Sequence, residues 1–459
     1  MSGRRHRTPD LNSRHRKIAR TALNGASGLK AIPLLFAKEC DMMFAKWLRP
    51  HRGLIAVVAV AGGALACTDT TTSGITEPGP SPAASNGVPF NVGLASPAWQ
   101  LTARNLVSQA NFSSIQAAHA YPILGVAQYL AVQRAEAAIN GEGRVRLESD
   151  RGAVAGASVV ALSYLFPASA PALEDLVTAQ ANAGPGQPHP AFAAGEAIGR
   201  AVGAQIVARA VADHFDAPNT AVPPMGPGFW SSSAVPPTPV DGGQLKGVTP
   251  WFLTSSNQFK PDPHPPFGSA EFNAALAEIR QLSDNRSMHP EQTQLATFWA
   301  LARGTPTTSG FWLAVPTDSG WVSERGMSER ETTHLYALMS ATVFDAQIGC
   351  WDEKLTSWLI RPWRADPAIT TVAAVGKPNH PSYPSGHSCL SASAGEVLSA
   401  FFPEKRAQLE AMVAQAGLSR MYGGIHYRFD ISAGQTLGRN VARFTMAADA
   451  SGNSVLTAH

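Results

Sequence analysis

The sequence predicts an all-α fold, and three observations carry that expectation. Ala-rich stretches repeat apolar residues at three- and four-residue spacing, the signature of amphipathic helices. Segments of period-two alternation are scarce, so strands are not expected. With 44% hydrophobic and only 15% charged residues, the chain has the composition of a globular protein rather than a disordered one.

At 459 residues there is enough chain for one large domain or two ordinary ones. Residues 1–41 are basic and carry no sustained helical period; they read as a dispensable extension if Met42 or Met43 is the true start. Residues 42–67 have the layout of a lipoprotein-type signal peptide. A basic stretch (Lys46, Arg49, Arg52) precedes 14 uncharged, mostly apolar residues, Gly53–Ala66. That run is too short for a spanning helix, which needs roughly 20 apolar residues, and it ends in small residues as a cleavage region does. "ALAC" resembles a bacterial lipobox, so Cys67 is expected to carry a lipid and the protein to be exported, to the periplasm or the outer surface. Residues 68–90 are rich in Thr, Ser, Pro and Gly and read as a tether.

Residues 91–450 are then the folded domain. Helices are expected over 122–140, 151–166, 191–215, 269–283, 290–303, about 328–361, 387–402, 404–416 and 426–447. The Pro-, Gly- and Trp-rich piece from about 217 to 267 is irregular, and a loop of that length usually packs over a site.

Charge is unevenly spread. Residues 1–52 hold 12 Lys and Arg against 3 Asp and Glu, leaving 24 against 30 in the rest. A mildly acidic folded part argues against nucleic acid as a partner, since such binders show a basic face. Cys350 and Cys389 have no CxxC pattern, which argues against a zinc site or disulfide framework. Two buried free thiols are expected, with pairing as the alternative.

Three separated pieces each concentrate groups that bind an oxyanion. In "KLTSWLIRP", Lys354 and Arg361 are seven apart and would project from nearly one helix face, with Pro362 ending the helix. A solvated basic edge is the bland alternative, disfavoured by the surrounding Trp358, Leu359, Ile360 and Trp363. In "HPSYPSGHSCLSASAGEVL", a tight turn with Ser385 and Gly386 feeds a helix N-terminus, whose free N–H groups suit an anion, and His387 stands at its mouth. A nearby anion would help keep that imidazole charged. In "SRMYGGIHYRFD", Arg420 adds a third cation and Gly423-Gly424 breaks the helix. Asp430, four residues on, can orient His426 by bonding one ring nitrogen and leaving the other lone pair free. That imidazole suits a metal ligand or a nucleophile; an ordinary His–Asp pair remains the alternative.

Taken together, K-x6-R-P, then PSGH, then S-R-x5-H-x3-D resembles the signature uniting type 2 phosphatidic acid phosphatases (PAP2) with vanadium-dependent haloperoxidases. The match runs through Lys354, Arg361, Pro362, Pro384, Ser385, Gly386, His387, Ser419, Arg420, His426 and Asp430. The resemblance implies a helical bundle of the haloperoxidase and acid phosphatase type. It implies that Lys354, Arg361, Arg420, Ser385 and Gly386 hold a vanadate or phosphate, that His426 bonds its central atom, and that His387 is the acid–base group.

Two chemistries share such a pocket. As a haloperoxidase, with vanadate as cofactor and His426 as its metal ligand, the chain would oxidise a halide with hydrogen peroxide. As a soluble acid phosphatase, it would attack a phosphomonoester through a phosphohistidine at His426. Two features favour the first. No segment after the signal region approaches 20 uninterrupted apolar residues, unlike many membrane phosphatases of the superfamily. His380, seven before His387, stands where bromoperoxidases have histidine and chloroperoxidases tend to have phenylalanine, so bromide or iodide is expected over chloride. His380 could equally be a loop residue. A non-catalytic oxyanion-capturing lipoprotein would need the cations but neither histidine, which disfavours it.

Overall fold

The computed structural model describes residues 93–183, 188–452 and 454–457. The expected signal segment, the lipid site at Cys67 and the tether lie outside the described residues. Among the described residues the secondary structure is helical, with no strand and one isolated antiparallel bridge between Phe229 and Leu359.

The first half contributes α1 (Ala95–Gln109), α2 (Ser114–Ala138), α3 (Arg144–Leu165), α4 (Ala170–Ala181) and α5 (Pro190–Val211). The second half adds α6 (Ala270–Asp284), α7 (Pro290–Phe298), α8 (Thr307–Asp318), the single turn α9 (Trp321–Glu324) and α10 (Glu329–Ser357). The last group is the short α11 (Pro362–Ala365), then α12 (Gly386–Phe401), α13 (Arg406–Tyr422) and α14 (Arg428–Ala450).

α10 is the axis of the molecule. It starts at a capping box in which Ser328 and Glu331 satisfy each other's backbone donors. Nearly every side chain from Thr332 to Lys354 is buried, because α2, α12 and α14 pack around it. Its first residue, Glu329, is itself buried and accepts the N–H groups of Ala95 at 2.7 Å and Ser96 at 2.9 Å, capping α1 from 234 residues away.

α3 and α5 pack through glycine. A Cβ on Gly152 would stand 2.0 Å from the Phe192 carbonyl oxygen, and one on Gly199 would stand 2.1 Å from that of Ala153. Only hydrogen fits between these backbones.

The piece from 217 to 267 is irregular, as expected, apart from a 3-10 turn at Leu245–Gly247. It is held down at three places. The buried Asp345 of α10 accepts N–H bonds from Trp251, Phe252 and Leu253 at 2.7–3.0 Å. Trp230 N–H donates to Trp358 O at 2.6 Å, and Ile360 N–H to Gly228 O at 2.9 Å. Asn379 donates to Pro239 O at 2.6 Å and accepts from Ser232 Oγ at 3.1 Å. These bonds brace the stretch that follows α10, where the first motif lies.

Several helix ends differ from the sequence reading. α7 stops at Phe298 rather than 303, α5 at Val211 rather than 215, and α13 runs on to Tyr422. The consequential correction is α10, which ends at Ser357 and not near 361. Trp358 turns into the left-handed region at φ +49°, and Pro362 opens α11 instead of closing α10.

Candidate active site

The site assembles where the C-terminal end of α10, the N-terminus of α12 and the turn before α14 meet. Lys354, in the last turn of α10, is fully buried. Its Nζ donates to the carbonyl oxygens of Pro381 and Ser382 at 2.9 Å and of Pro384 at 2.5 Å. All three ammonium protons are thus engaged by the backbone leading into the PSGH turn. Burial lowers its pKa to about 8, and the charge of Arg361 adds to the effect.

Arg361 does not share a helix face with Lys354. It caps α11 from beyond the left-handed turn at Trp358, and that turn brings its guanidinium back over the site. The guanidinium is fully buried. Nε donates to His380 O at 2.9 Å and Nη1 to Ile425 O at 2.7 Å. It also reaches two imidazoles, His426 Nε2 from Nη1 and His380 Nδ1 from Nη2, each at 3.0 Å. Arginine only donates, so both ring nitrogens accept. Burial pushes its pKa down to about 10 despite the Asp430 carboxylate nearby.

His426 lies in the turn that Gly424 makes possible, at φ +76°. Its Nδ1 meets Asp430 Oδ2 at 2.8 Å. The proton therefore sits on Nδ1, and Nε2 carries the lone pair. Burial, then the charges of Arg361 and Lys354, holds the imidazole well below its usual pKa. Asp430 Oδ2 also accepts from Ser382 Oγ at 2.6 Å and Tyr427 N at 3.1 Å. Burial lifts the carboxyl to about 6 even so, and its Oδ1 has no partner.

Ser385 caps α12, its Oγ accepting from Ser388 N, and its own N–H donates to Asp430 O at 3.0 Å. Gly386 is the first residue of α12 and faces the Trp351 ring, which an added Cβ would meet at 3.4 Å. Trp351 also lies against His380, ring centroids 4.9 Å apart. His387 donates from Nε2 to the Trp299 carbonyl at 2.9 Å, a partner beyond the end of α7. Burial and the charge of Arg420 keep it well below its usual pKa. Arg420, buried at the end of α13, donates to Ser419 Oγ and Ala296 O, both at 2.9 Å. Burial lowers its pKa to about 9, and among the described residues no carboxylate bears on it.

The three motifs therefore converge. Three buried cations stand against one buried carboxylate, an imbalance that an anion would offset. Among the described residues no group of three His, Cys, Asp or Glu side chains is placed to hold a bare metal ion. The donor set fits an oxyanion with one histidine on its central atom.

Four contributors were not marked by any motif. Trp299 and Ala296 act through carbonyls, which side-chain identity does not reveal. Ser382 lies inside the PSGH stretch but looks like any turn serine. Trp351 is one helical turn before Leu355 and reads as an ordinary core aromatic.

Residues 332–451, the segment holding every motif, match the family model described as PAP2 superfamily. The fold is that of bacterial vanadium-dependent haloperoxidases. A bacterial vanadium-dependent iodoperoxidase structure superposes with a TM-score of 0.64 at 22% identity, covering 78% of this chain and 97% of that one. A bacterial vanadium-dependent chloroperoxidase in its holo form gives 0.59 at 14% identity, covering 75% and 94%. Its apo form gives 0.55 at 14%, covering 72% and 93%. No curated protein matches in sequence.

Proposed function

We propose that this chain is a vanadate-dependent haloperoxidase that oxidises bromide or iodide with hydrogen peroxide. The observation that carries the proposal is that one guanidinium, Arg361, bonds both His426 Nε2 and His380 Nδ1. That bond sets His380 beside the other candidate residues, which supports an active role over that of a loop residue. The fold similarity, which extends well beyond the motif-bearing segment, supports the same reading.

The residues fit vanadate on their chemistry. Lys354, Arg361 and Arg420 would offset its charge, Ser385 and the Gly386 N–H would hold oxygens, and His426 would take the central atom through Nε2 in place of its bond from Arg361 Nη1. Vanadate, when bound, would supply the Lewis acidity that lets peroxide oxidise a halide to hypohalous acid, with one proton consumed and one water released.

The chain's own groups do the rest. Asp430 keeps the His426 proton on Nδ1, so the lone pair faces the cation cluster. The three cations are fixed before any ligand arrives, so they favour negative charge without reorganisation. His387, neutral when the site lacks an anion, gains basicity as an anion offsets Arg420, and can then hold a proton on the nitrogen not bonded to Trp299.

The serious rival is a soluble PAP2-type acid phosphatase, in which the same Nε2 attacks phosphorus and His387 protonates the leaving alcohol. One paired assay decides. The protein loaded with orthovanadate should oxidise bromide or iodide with peroxide, and His426→Ala should abolish this. Hydrolysis of p-nitrophenyl phosphate with no halide oxidation would transfer the assignment to the phosphatase.

A further inference from the structure

Trp351 and His380 lie against each other beside the anion site, ring centroids 4.9 Å apart, and the Trp351 ring also faces Gly386. The indole Nε1–H donates to the Asp241 carbonyl at 2.8 Å. Asp241 N–H in turn donates to the carbonyl of Asn379 at 2.9 Å, and His380 is the next residue. Trp351, Asp241, Asn379 and His380 therefore close a ring along one edge of the site. Glycine at 242 makes the closure possible. It sits at φ +76°, and a Cβ there would stand 2.4 Å from Trp351 Nε1.

The Asn379 side chain clasps this ring to the turn between Ser232 and Pro239. Nδ2 donates to Pro239 O at 2.6 Å, and Oδ1 accepts from Ser232 Oγ at 3.1 Å. Ser232 Oγ itself accepts from Ala234 N at 3.3 Å and Thr238 N at 3.2 Å, which closes the turn on itself. One amide thus donates to one arm of the turn and accepts from the other. A carboxylate of the same shape could accept from Ser232 but would set a second bare oxygen against Pro239 O.

We infer that Asn379 is a positioning residue: its amide locks the 232–239 turn to the edge of the anion site and so holds the Trp351 indole against the His380 imidazole. Arg361 grips His380 from the other side, Nε to its carbonyl at 2.9 Å and Nη2 to Nδ1 at 3.0 Å. With the clasp opened, His380 keeps those bonds while the Asp241 carbonyl, and the indole bonded to it, draws away. Lys354, Arg420 and His426 have their own partners, so a tetrahedral anion still binds. What changes is the wall that a second reactant meets on its way to that anion. The second reactant is a halide only under the haloperoxidase reading, on which that part of the inference rests.

Asn379→Asp is the test, because it keeps the shape and removes the donor. The Trp351 indole N–H, identified by its loss in Trp351→Phe, should shift in the 1H–15N spectrum and exchange with solvent about tenfold faster. Calorimetry should give a phosphate affinity within about twofold of the parent, as for independent sites. Loaded with orthovanadate, the variant should show a bromide KM raised roughly fivefold or more with kcat within about twofold. Ser232→Ala opens the other arm of the turn and should move the same resonance; it serves if Asn379→Asp does not fold. An unmoved, slowly exchanging indole N–H would overturn the inference. So would a phosphate affinity that falls with it, which would make Asn379 a general support of the site, or an unchanged bromide KM beside a displaced indole. A parent protein that oxidises no halide would count against the haloperoxidase reading alone, and the indole and phosphate readouts would then decide the role of Asn379.

Discussion

Arg361 donates from Nη1 to His426 Nε2 across 3.0 Å, while Asp430 holds the opposite ring nitrogen at 2.8 Å. The imidazole is pinned between a cation and a carboxylate, its proton on one side and its lone pair on the other. Every functional expectation for this protein passes through that arrangement.

Arg361→Lys should therefore behave as a severe change. A lysine can supply three donors from one point, but the guanidinium bonds His380 O, Ile425 O and two imidazoles in a fixed fork. Oxyanion affinity should fall by roughly 100-fold or more, a loss of about 3 kcal/mol. Calorimetry with inorganic phosphate measures it, and an affinity within threefold of the parent would refute the role.

Asp430→Asn should retain the fold and lose orientation. An amide oxygen can still accept from Nδ1 but without the carboxylate's charge, and an NH2 turned toward the ring would force the other tautomer. Removing a partner that orients a ligating histidine typically costs about 10–100-fold in affinity. Orthovanadate binding should fall within that range while the far-UV spectrum stays unchanged.

Ser382→Ala tests a residue that no motif marks. Its hydroxyl donates to Asp430 Oδ2 at 2.6 Å and so favours the charged carboxylate. Burial already lifts that carboxyl to about 6. Without the serine the pKa rises further, so the acidic limb of the activity profile should move to higher pH. The stability cost should be about 1–2 kcal/mol, read from urea midpoints.

The buried cations predict opposite pH trends for stability and binding. Burial lowers Lys354 to about 8, Arg420 to about 9 and Arg361 to about 10. Above about pH 8 the folded protein binds fewer protons at these groups than the unfolded chain does, so their penalty on folding is relieved as pH rises. Oxyanion affinity falls over the same range because the charge is lost. Phosphate, an anion throughout, should raise the melting temperature clearly at pH 7 and by less than half as much at pH 9.5. Equal shifts at both would contradict the assignment of these cations to the anion site.

Gly199→Ala separates packing from chemistry. Its Cβ would sit 2.1 Å from the Ala153 oxygen, and α3 would have to move away from α5. Overpacking of this kind costs about 1–3 kcal/mol. Denaturant unfolding should show that loss with phosphate affinity unaltered, since neither helix carries a site residue.

Apolar spacing at three and four residues was enough to place nine of the helices, since burial of one face leaves that period in the sequence, but it passed over α1, α4, α8 and the short α9 and α11. The residue types at Lys354, Arg361, His387, Arg420, His426 and Asp430 pointed to an oxyanion chemistry, because few other purposes call for those groups in that order. What folding alone decided is how they meet. The left-handed turn at Trp358 swings Arg361 over the site where a continuous helix was expected. Carbonyls of Trp299, Ala296, Pro381 and Pro384 accept hydrogen bonds from His387, Arg420 and Lys354. A backbone oxygen is the same in every residue, so nothing in the order of side chains announces which one will be a partner; only the path of the chain in space selects it.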